Sequence, residues 1–307
     1  MNASASEFQA EPDERAATDL TAAWATAQRA IDASRVHVRE VHDIDEMHQI
    51  QRLYERIWRT GPTGTPVTAD MLRAMAKAES YVVGAFEDDV LVGACFGFFG
   101  PPARRTLHSH IAGVDQSMHG RHVGLALKLH QRAWAMQHGA EAITWTFDPL
   151  IRRNAYFNIG KLAASAVEYL PSFYGPMDDA INRADDTDRM LIRWHLGSPA
   201  VIAACEASAP SPAAKTRPEL GSTAHAEAQR ILEPSQDGAP IRHEPRSSTV
   251  LVGIPADIEA MRLSDPALAA KWRIALRETL GTLMSGGARV SRFSRDGWYV
   301  VEREKTP

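Results

Sequence analysis

The feature that most constrains this chain is residues 106–138, T-L-H-S-H-I-A-G-V-D-Q-S-M-H-G-R-H-V-G-L-A-L-K-L-H-Q-R-A-W-A-M-Q-H. The stretch opens as a strand, in which alternation puts His108 and His110 on one face. It then passes through a glycine-containing turn, Gly120 to Gly124, into a helix. The apolar positions Leu125, Leu127, Leu129, Ala133, Trp134 and Met136 mostly follow the helical period. A strand that ends in a glycine turn and opens a helix leaves backbone N–H groups at the positive end of the helix dipole. That arrangement suits a phosphate or pyrophosphate. A titratable histidine pair therefore stands a few residues ahead of an anion cradle.

Bulk properties narrow the partners. A 307-residue chain that is 44% hydrophobic holds enough apolar surface for one large domain or two small ones. Its formal charge of −4 argues against a general binder of nucleic acid or acidic membranes, so small molecules are the expected partners. Cys95 and Cys205 are too few for a disulfide framework or a thiolate metal cage, which fits a reducing cytoplasm. The acidic, polar start M-N-A-S-A-S-E-F-Q-A-E-P-D-E-R predicts no secretory signal. No apolar run approaches the ~20 residues of a membrane span.

Along the chain, residues 1–12 read as a disordered tail and 14–33 as an alanine-rich helix with Leu20, Trp24, Ala27 and Ile31 on one face. Residues 36–41 form a short strand, and Asp43 sits where a helix cap belongs. Residues 58–68 are turn-rich, and a helix restarts near Ala69. Two strands, 81–86 and 90–99, flank the polar turn Glu87-Asp88-Asp89. After the organising stretch, Gly139 ends the helix, 142–147 is a strand, and a helix runs from about 151 to 162. Strands at 165–170 and 189–196 bracket P-S-F-Y-G-P. Residues 197–247 are rich in Ala, Pro, Ser and charge and read mostly as linker. A compact tail of strand, helix and a hairpin turning at Asp296-Gly297 closes the chain. About 60 residues are marginal alone, so the tail packs on the main domain or on a second subunit, a homodimer in that case.

The organising stretch resembles the acyl-coenzyme A binding core of the GNAT superfamily of N-acetyltransferases, in which a V-x-P strand end leads into R/Q-x-x-G-x-G/A and a helix. Anchored on Val114 and Leu127, His119 falls at the Arg/Gln position, His122 at the first glycine and Gly124 at the second. Gln116 replaces the usual proline. A shift of two gives Arg121-x-x-Gly124-x-Ala126 instead; the first register keeps the spacing from the strand. The order of elements over 36–196 also resembles the family. So do L-H-S-H, T-W-T-F-D-P-L, N-A-Y-F-N, Y-L-P-S-F-Y-G and T-D-R, which are similar to a subgroup of GNAT proteins carrying a C-terminal extension.

The resemblance implies an α+β (mixed α/β) GNAT-like fold, a mixed central sheet flanked by helices, with a small C-terminal β-α-β-β extension. Four parts follow: a tail and helix at 1–35, an acyl-coenzyme A binding domain at 36–196, a linker at 197–247 and an extension at 248–307. It implies a cytoplasmic N-acyltransferase that uses acetyl-coenzyme A or another acyl-coenzyme A, no metal, and a small-molecule amine. The co-substrate would be held by Val114, Gln116, His119, Gly120, Arg121, His122, Val123, Gly124 and Asn154. Cationic His119 and His122 would assist, with affinity falling as pH rises.

Acyl transfer to an amine needs a polarised carbonyl, a base for the amine and an acid for the leaving thiolate. Backbone N–H groups at residues 111–114 would serve the first. His108 and His110 would serve the second, similar to the histidine pair of aralkylamine N-acetyltransferases. Aligning Leu162-Ala163-Ala164 with the family's Leu-Gly-Phe puts Ile159 where a tyrosine is usual. Tyr156 and Tyr174 are then the candidate acids. Asn154 resembles the family's pantetheine-binding asparagine or, equally, starts a helix. Asp148 reads as a helix cap, and Asp188 as an ion-pair partner of Arg189 or a neighbour.

Two rival readings remain open from the residues. H-x-H is also metal-ligand spacing, so His108, His110 and Asp148 could hold zinc in a hydrolase. Alternatively, His119 and His122 close the groove and leave a non-catalytic binding module whose tail mediates assembly.

Overall fold

The structure is a computed structural model and describes residues 10–58, 64–175, 185–209 and 228–303. The chain divides into two compact units. The first comprises Met1–Leu53, Val67–Ile143 and His195–Ala213, and the second Tyr54–Pro66, Thr144–Trp194 and Ala214–Pro307.

In the first unit, α1 (Ala10–Ser34) precedes β1 (His37–Glu40) and α2 (Ile44–Trp58), whose last residues pass into the second unit. Asp43 caps α2, its Oδ1 accepting the N–H of Asp45 at 2.9 Å and of Glu46 at 3.2 Å. Then follow α3 (Ala69–Lys77), β2 (Tyr81–Glu87), β3 (Val90–Phe99), β4 (Thr106–Val114) and α4 (Val123–Gln137). Strands β1 to β4 form an antiparallel meander, each paired to the next. β2 and β3 are buried over most of their length, as two-sided apolar strands must be. The chain leaves α4 through Gly139 at φ +78°, with the Ala140 N–H returning to the Ala135 carbonyl.

The pattern of α4 predicts one apolar face, yet Leu125 to Ala135 are all buried, including Lys128, His130, Gln131 and Arg132. The cause is α1, which packs along α4 through the small residues Ala23, Ala27 and Ala30. Trp24, on the face expected from the sequence, joins that contact: its Nε1–H donates to Gln137 at 3.0 Å. α6 (Pro199–Ser208) follows, capped by Ser198. Arg132 spends its guanidinium on the Leu196 carbonyl just ahead of α6, at 3.1 and 2.6 Å. The helix α1 begins at Ala10, within the stretch expected as tail; residues 1–9 lie outside the described residues.

The second unit holds most of β5 (Ala142–Phe147), then α5 (Arg152–Ala155), β6 (Ser165–Leu170) and β7 (Arg189–His195), with β5, β7 and β6 side by side in that order. The helix expected for 151–162 runs over 152–161, with Tyr156–Lys161 wound as a π turn rather than in α geometry. Its C-terminal residue in the left-handed region is Ala163, at φ +52°, where the aligned family motif has glycine.

The tail supplies β10 (Thr249–Gly253), α7 (Ile258–Ser264), α8 (Pro266–Leu276), a π turn at Arg277–Gly281, α9 (Thr282–Ser285), β11 (Arg289–Phe293) and β12 (Trp298–Glu302). This is the expected β-α-β-β order. Residues 197–247, expected as linker, carry α6 together with β8 (Gln229–Pro234) and β9 (Pro240–Arg242), while 210–227 lie outside the described residues. β8 and β9 extend the tail's sheet to five strands, ordered β11-β12-β10-β8-β9, with β8 parallel to β10. Trp272, Phe293 and Tyr299 fill its core. Within this unit the tail packs on β6, where Gly281 lies against the Tyr169 ring. Together strands and helices give the mixed α/β class expected.

Candidate active site

Between β4 and α4 the chain makes a short 3-10 turn, Gln116–Met118, capped by Asp115, whose carboxylate accepts the Ser117 N–H at 3.0 Å. Gly120 then takes φ +82° and His122 φ +62° before α4 begins at Val123. Among the described residues, the backbone N–H groups of Gly120, His122, Val123 and Gly124 find no backbone acceptor. They lie at the positive end of the α4 dipole. The space above them is open: a Cβ at Gly120 would meet nothing within 4 Å, and one at Gly124 only Val114 Cγ2 at 3.8 Å. Donors, dipole and clearance together fit a pyrophosphate.

The flanking side chains divide into free-standing and committed ones. His119, Gln116 and His122 are exposed, Val114 is half-buried and Val123 is buried. His122 stands in a left-handed conformation that glycine adopts far more readily. Ala126, the last small residue of the shifted motif, is fully buried and faces away from solvent. Arg121 is engaged with Glu87 at 2.5 Å and with the Ser34 carbonyl at 3.2 Å. It therefore ties the turn to α1 and β2.

Upstream on β4, the ring centroids of His108 and His110 lie 6.2 Å apart on one face, as alternation predicts. They stand beside Phe98, 5.3 Å from His108, and Phe96, 5.8 Å from His110. The pairing of β3 with β4 steps from Phe96↔Ile111 to Gly97↔Ser109, so His110 is the extra residue of a β-bulge. Partial burial against these rings lowers the proton affinity of both imidazoles. For His108, repulsion from His110 and from Lys128 adds to it. Both rings are thus poised as neutral bases.

The remaining candidates belong to the second unit. The Tyr156 hydroxyl accepts from Arg295 Nε at 2.8 Å, and that guanidinium lies over the Tyr156 ring. The Tyr174 hydroxyl lies 3.2 Å from Thr146 Oγ1, with Phe173 edge-on to its ring and Arg189 above it. Asn154 is half-buried inside α5, whose cap is Ile151, so Asn154 does not start the helix. The neighbouring Asn158 is buried and accepts from Trp145 Nε1 at 3.2 Å.

Asp148 differs from its expected part. Its carboxylate does accept the Leu150 N–H at 2.9 Å, but it also binds Arg273 at 2.9 and 2.8 Å and Arg262 at 2.5 Å. Burial opposes its charge, yet the Arg273 pair, with Arg262 and Arg189, holds its proton affinity well below the carboxylate range. Its oxygens are committed, which removes it from the zinc set. Among the described residues no group of three His, Cys, Asp or Glu side chains is placed to hold a metal ion. Asp188 pairs with Arg277 at 2.6 Å and accepts the Tyr169 hydroxyl at 2.7 Å; it is Arg277, remote in sequence, that carries its charge partner.

A family comparison bears on residues 44–158, which match the model of the acetyltransferase (GNAT) family. Residues 44–158 are thus similar to a GNAT acetyltransferase domain. The GNAT match contains the whole of β4, the turn and α4, and it ends at Asn158, inside the π turn of α5. Solved structures with a similar fold include an N-acetyltransferase from Staphylococcus aureus Mu50, at 15% identity over 52% of this chain and 98% of that one, TM-score 0.41. Diaminobutyrate acetyltransferase EctA from Paenibacillus lautus, in complex with L-2,4-diaminobutyric acid and coenzyme A, is 12% identical over 53% and 96%, TM-score 0.42. Ribosomal-protein-alanine N-acetyltransferase from Brucella melitensis is 11% identical over 51% and 98%, TM-score 0.43. A search of curated proteins found no match.

Sequence reading missed the buried polar set beneath the histidines: Cys95, Ser109, Lys128 and Gln131. The available signal was Lys128 and Gln131, polar residues one turn apart in the helix.

Proposed function

We propose that the GNAT domain of this chain is an acyl-coenzyme A dependent N-acyltransferase, with acetyl-coenzyme A the simplest donor and a small-molecule amine the acceptor. One observation carries the reading: two imidazoles held as neutral bases share a face of the strand that runs directly into an open anion socket. The co-substrate supplies an activated thioester when bound. The amides of Gly120, His122, Val123 and Gly124 hold the pyrophosphate, with the exposed His119 and His122 beside it. Val114 and Gln116 flank the route toward the histidines. His108 or His110 takes the proton of the attacking amine and releases it to solvent. Tyr174 and Tyr156 are kept as candidate acids for the leaving sulfur. Asn154 is kept as a candidate contact to the pantetheine arm. Support against a closed groove is the open space over Gly120 and Gly124.

The test is a free-thiol assay of coenzyme A release across a panel of amines. Replacing His108 or His110 with Gln is expected to lower kcat/KM by about 10²-fold or more, with little change in donor binding. Because both imidazoles have lowered proton affinity, the acid limb of kcat/KM should fall below the ordinary imidazole value of about 6.5, with activity lost as pH drops through it. Turnover undiminished in both variants would remove the histidines from the mechanism.

A further inference from the structure

We propose that Lys128, on α4, is a positioning residue for the imidazole pair: it clamps β4 between the two histidines through Ser109 and sets a fixed positive charge behind them. The inference rests on reading His108 and His110 as the base, and it adds a residue on the other side of their strand.

Ser109 points to the opposite side of β4 from its neighbours and is 4% exposed; Lys128 is 6% exposed. The Lys128 ammonium donates to Ser109 Oγ at 2.8 Å and to Gln131 Oε1 at 3.0 Å. Gln131, fully buried, turns its amide nitrogen to Cys95 Sγ at 3.3 Å, and that sulfur lies 3.8 Å from Ser109 Oγ. A closed polar set from β3, β4 and α4 thus grips the one residue that separates the histidines. Burying an ammonium is costly, and an apolar side chain of similar length would fill the same space without that cost.

The grip falls where β4 carries its bulge. A Cβ at Gly97 would lie 2.7 Å from the His108 carbonyl oxygen and 3.3 Å from Gln131 Nε2, so only glycine fits β3 at this point. The clamped Ser109 pairs with Gly97 and directly precedes the bulged His110.

The charge acts as well as the bond, because a charge in a low-dielectric interior is weakly screened across a single strand. The titratable groups facing Lys128 are Cys95 on β3 and His108 across β4. The other ionisable residues of α4 turn elsewhere: His130 to Tyr81 and Trp24, and Arg132 to the Leu196 carbonyl. Burial brings the Lys128 ammonium down to about 8, so it keeps its proton at neutral pH. His108 feels Lys128, whereas His110 is shifted by burial.

The experiment follows the imidazole resonances of the full chain, labelled at histidine, through a pH titration. In Lys128→Met the His108 midpoint is expected to rise, that of His110 to move much less, and the acid limb of kcat/KM to rise with His108. In Ser109→Ala the charge stays and the His108 midpoint should stay low. Should Lys128→Met fail to fold, the wild-type chain gives the answer: its His108 resonances should carry a second inflection at about 8, where Lys128 loses its proton. A folded Lys128→Met with an unmoved His108 midpoint, a Ser109→Ala midpoint that rises as far, or a single wild-type inflection would each overturn the proposal. The titration needs no substrate, so it stands or falls separately from the acyltransferase reading.

Discussion

His122 shows how one side chain can mark a functional position by being poorly suited to it. A histidine at φ +62° occupies a region that costs L-residues about 1–2 kcal/mol, and glycine is free of that cost. The same position is the first glycine of the motif register anchored on Val114. His122→Gly should therefore raise stability by about 0.5–1 kcal/mol after the extra chain entropy of glycine is subtracted, read as a higher Tm. It should also bring the backbone closer to a bound pyrophosphate; an unchanged or lower Tm would show that His122 is held by contacts that outweigh the strain. The turn itself was legible in the sequence, because a glycine turn between a strand and a helix has a local signature. The commitment of Arg121 to Glu87 and Ser34 was not, since those partners come from distant segments.

At the scale of elements, strands β2 to β7 were readable because alternation and apolar runs are local properties. Two departures share a cause that local pattern does not carry. The π turn of α5 adds one residue to a helical repeat without any change of composition, and with it Tyr156 swings under Arg295 from the tail. The bulge in β4 likewise shifts register by one residue, and its sequence signal is Gly97 on the neighbouring strand rather than anything in β4. Gly97→Ala is expected to destabilise the chain by about 1–3 kcal/mol, because the methyl group would collide with the His108 carbonyl and push β3 from β4. Chemical denaturation measures it. A neutral result would mean that the bulge relaxes easily and does not fix the histidines.

Across the whole molecule, the least predictable feature is a buried ionic cluster in the second unit. Asp148 and Asp185 face Arg262 and Arg273, all four nearly inaccessible, with Asp188 and Arg277 alongside. In sequence, F-D-P reads as a cap, and its arginines lie more than a hundred residues later, so no spacing rule connects them. The tail is thereby bound to the ends of β5 and β7 by charge as well as by packing. Arg273→Ala should cost about 3–5 kcal/mol, because it strands two buried carboxylates, and it should appear as loss of the cooperative unfolding transition or a large fall in Tm. The Asp148 carboxylate, held below its usual range, contributes stability that is present above the unfolded value of about 3.9 and is lost as pH falls through the folded one. In the first unit, residues 118–124 are proposed as a pyrophosphate socket. Calorimetric titration of acetyl-coenzyme A into the wild-type chain and into Gly124→Val tests it most directly, since a Cβ at 124 has room in the protein itself. The account predicts saturable binding to the wild type and its loss in a variant of unchanged Tm. No heat with the wild type, or equal binding by both, would contradict it.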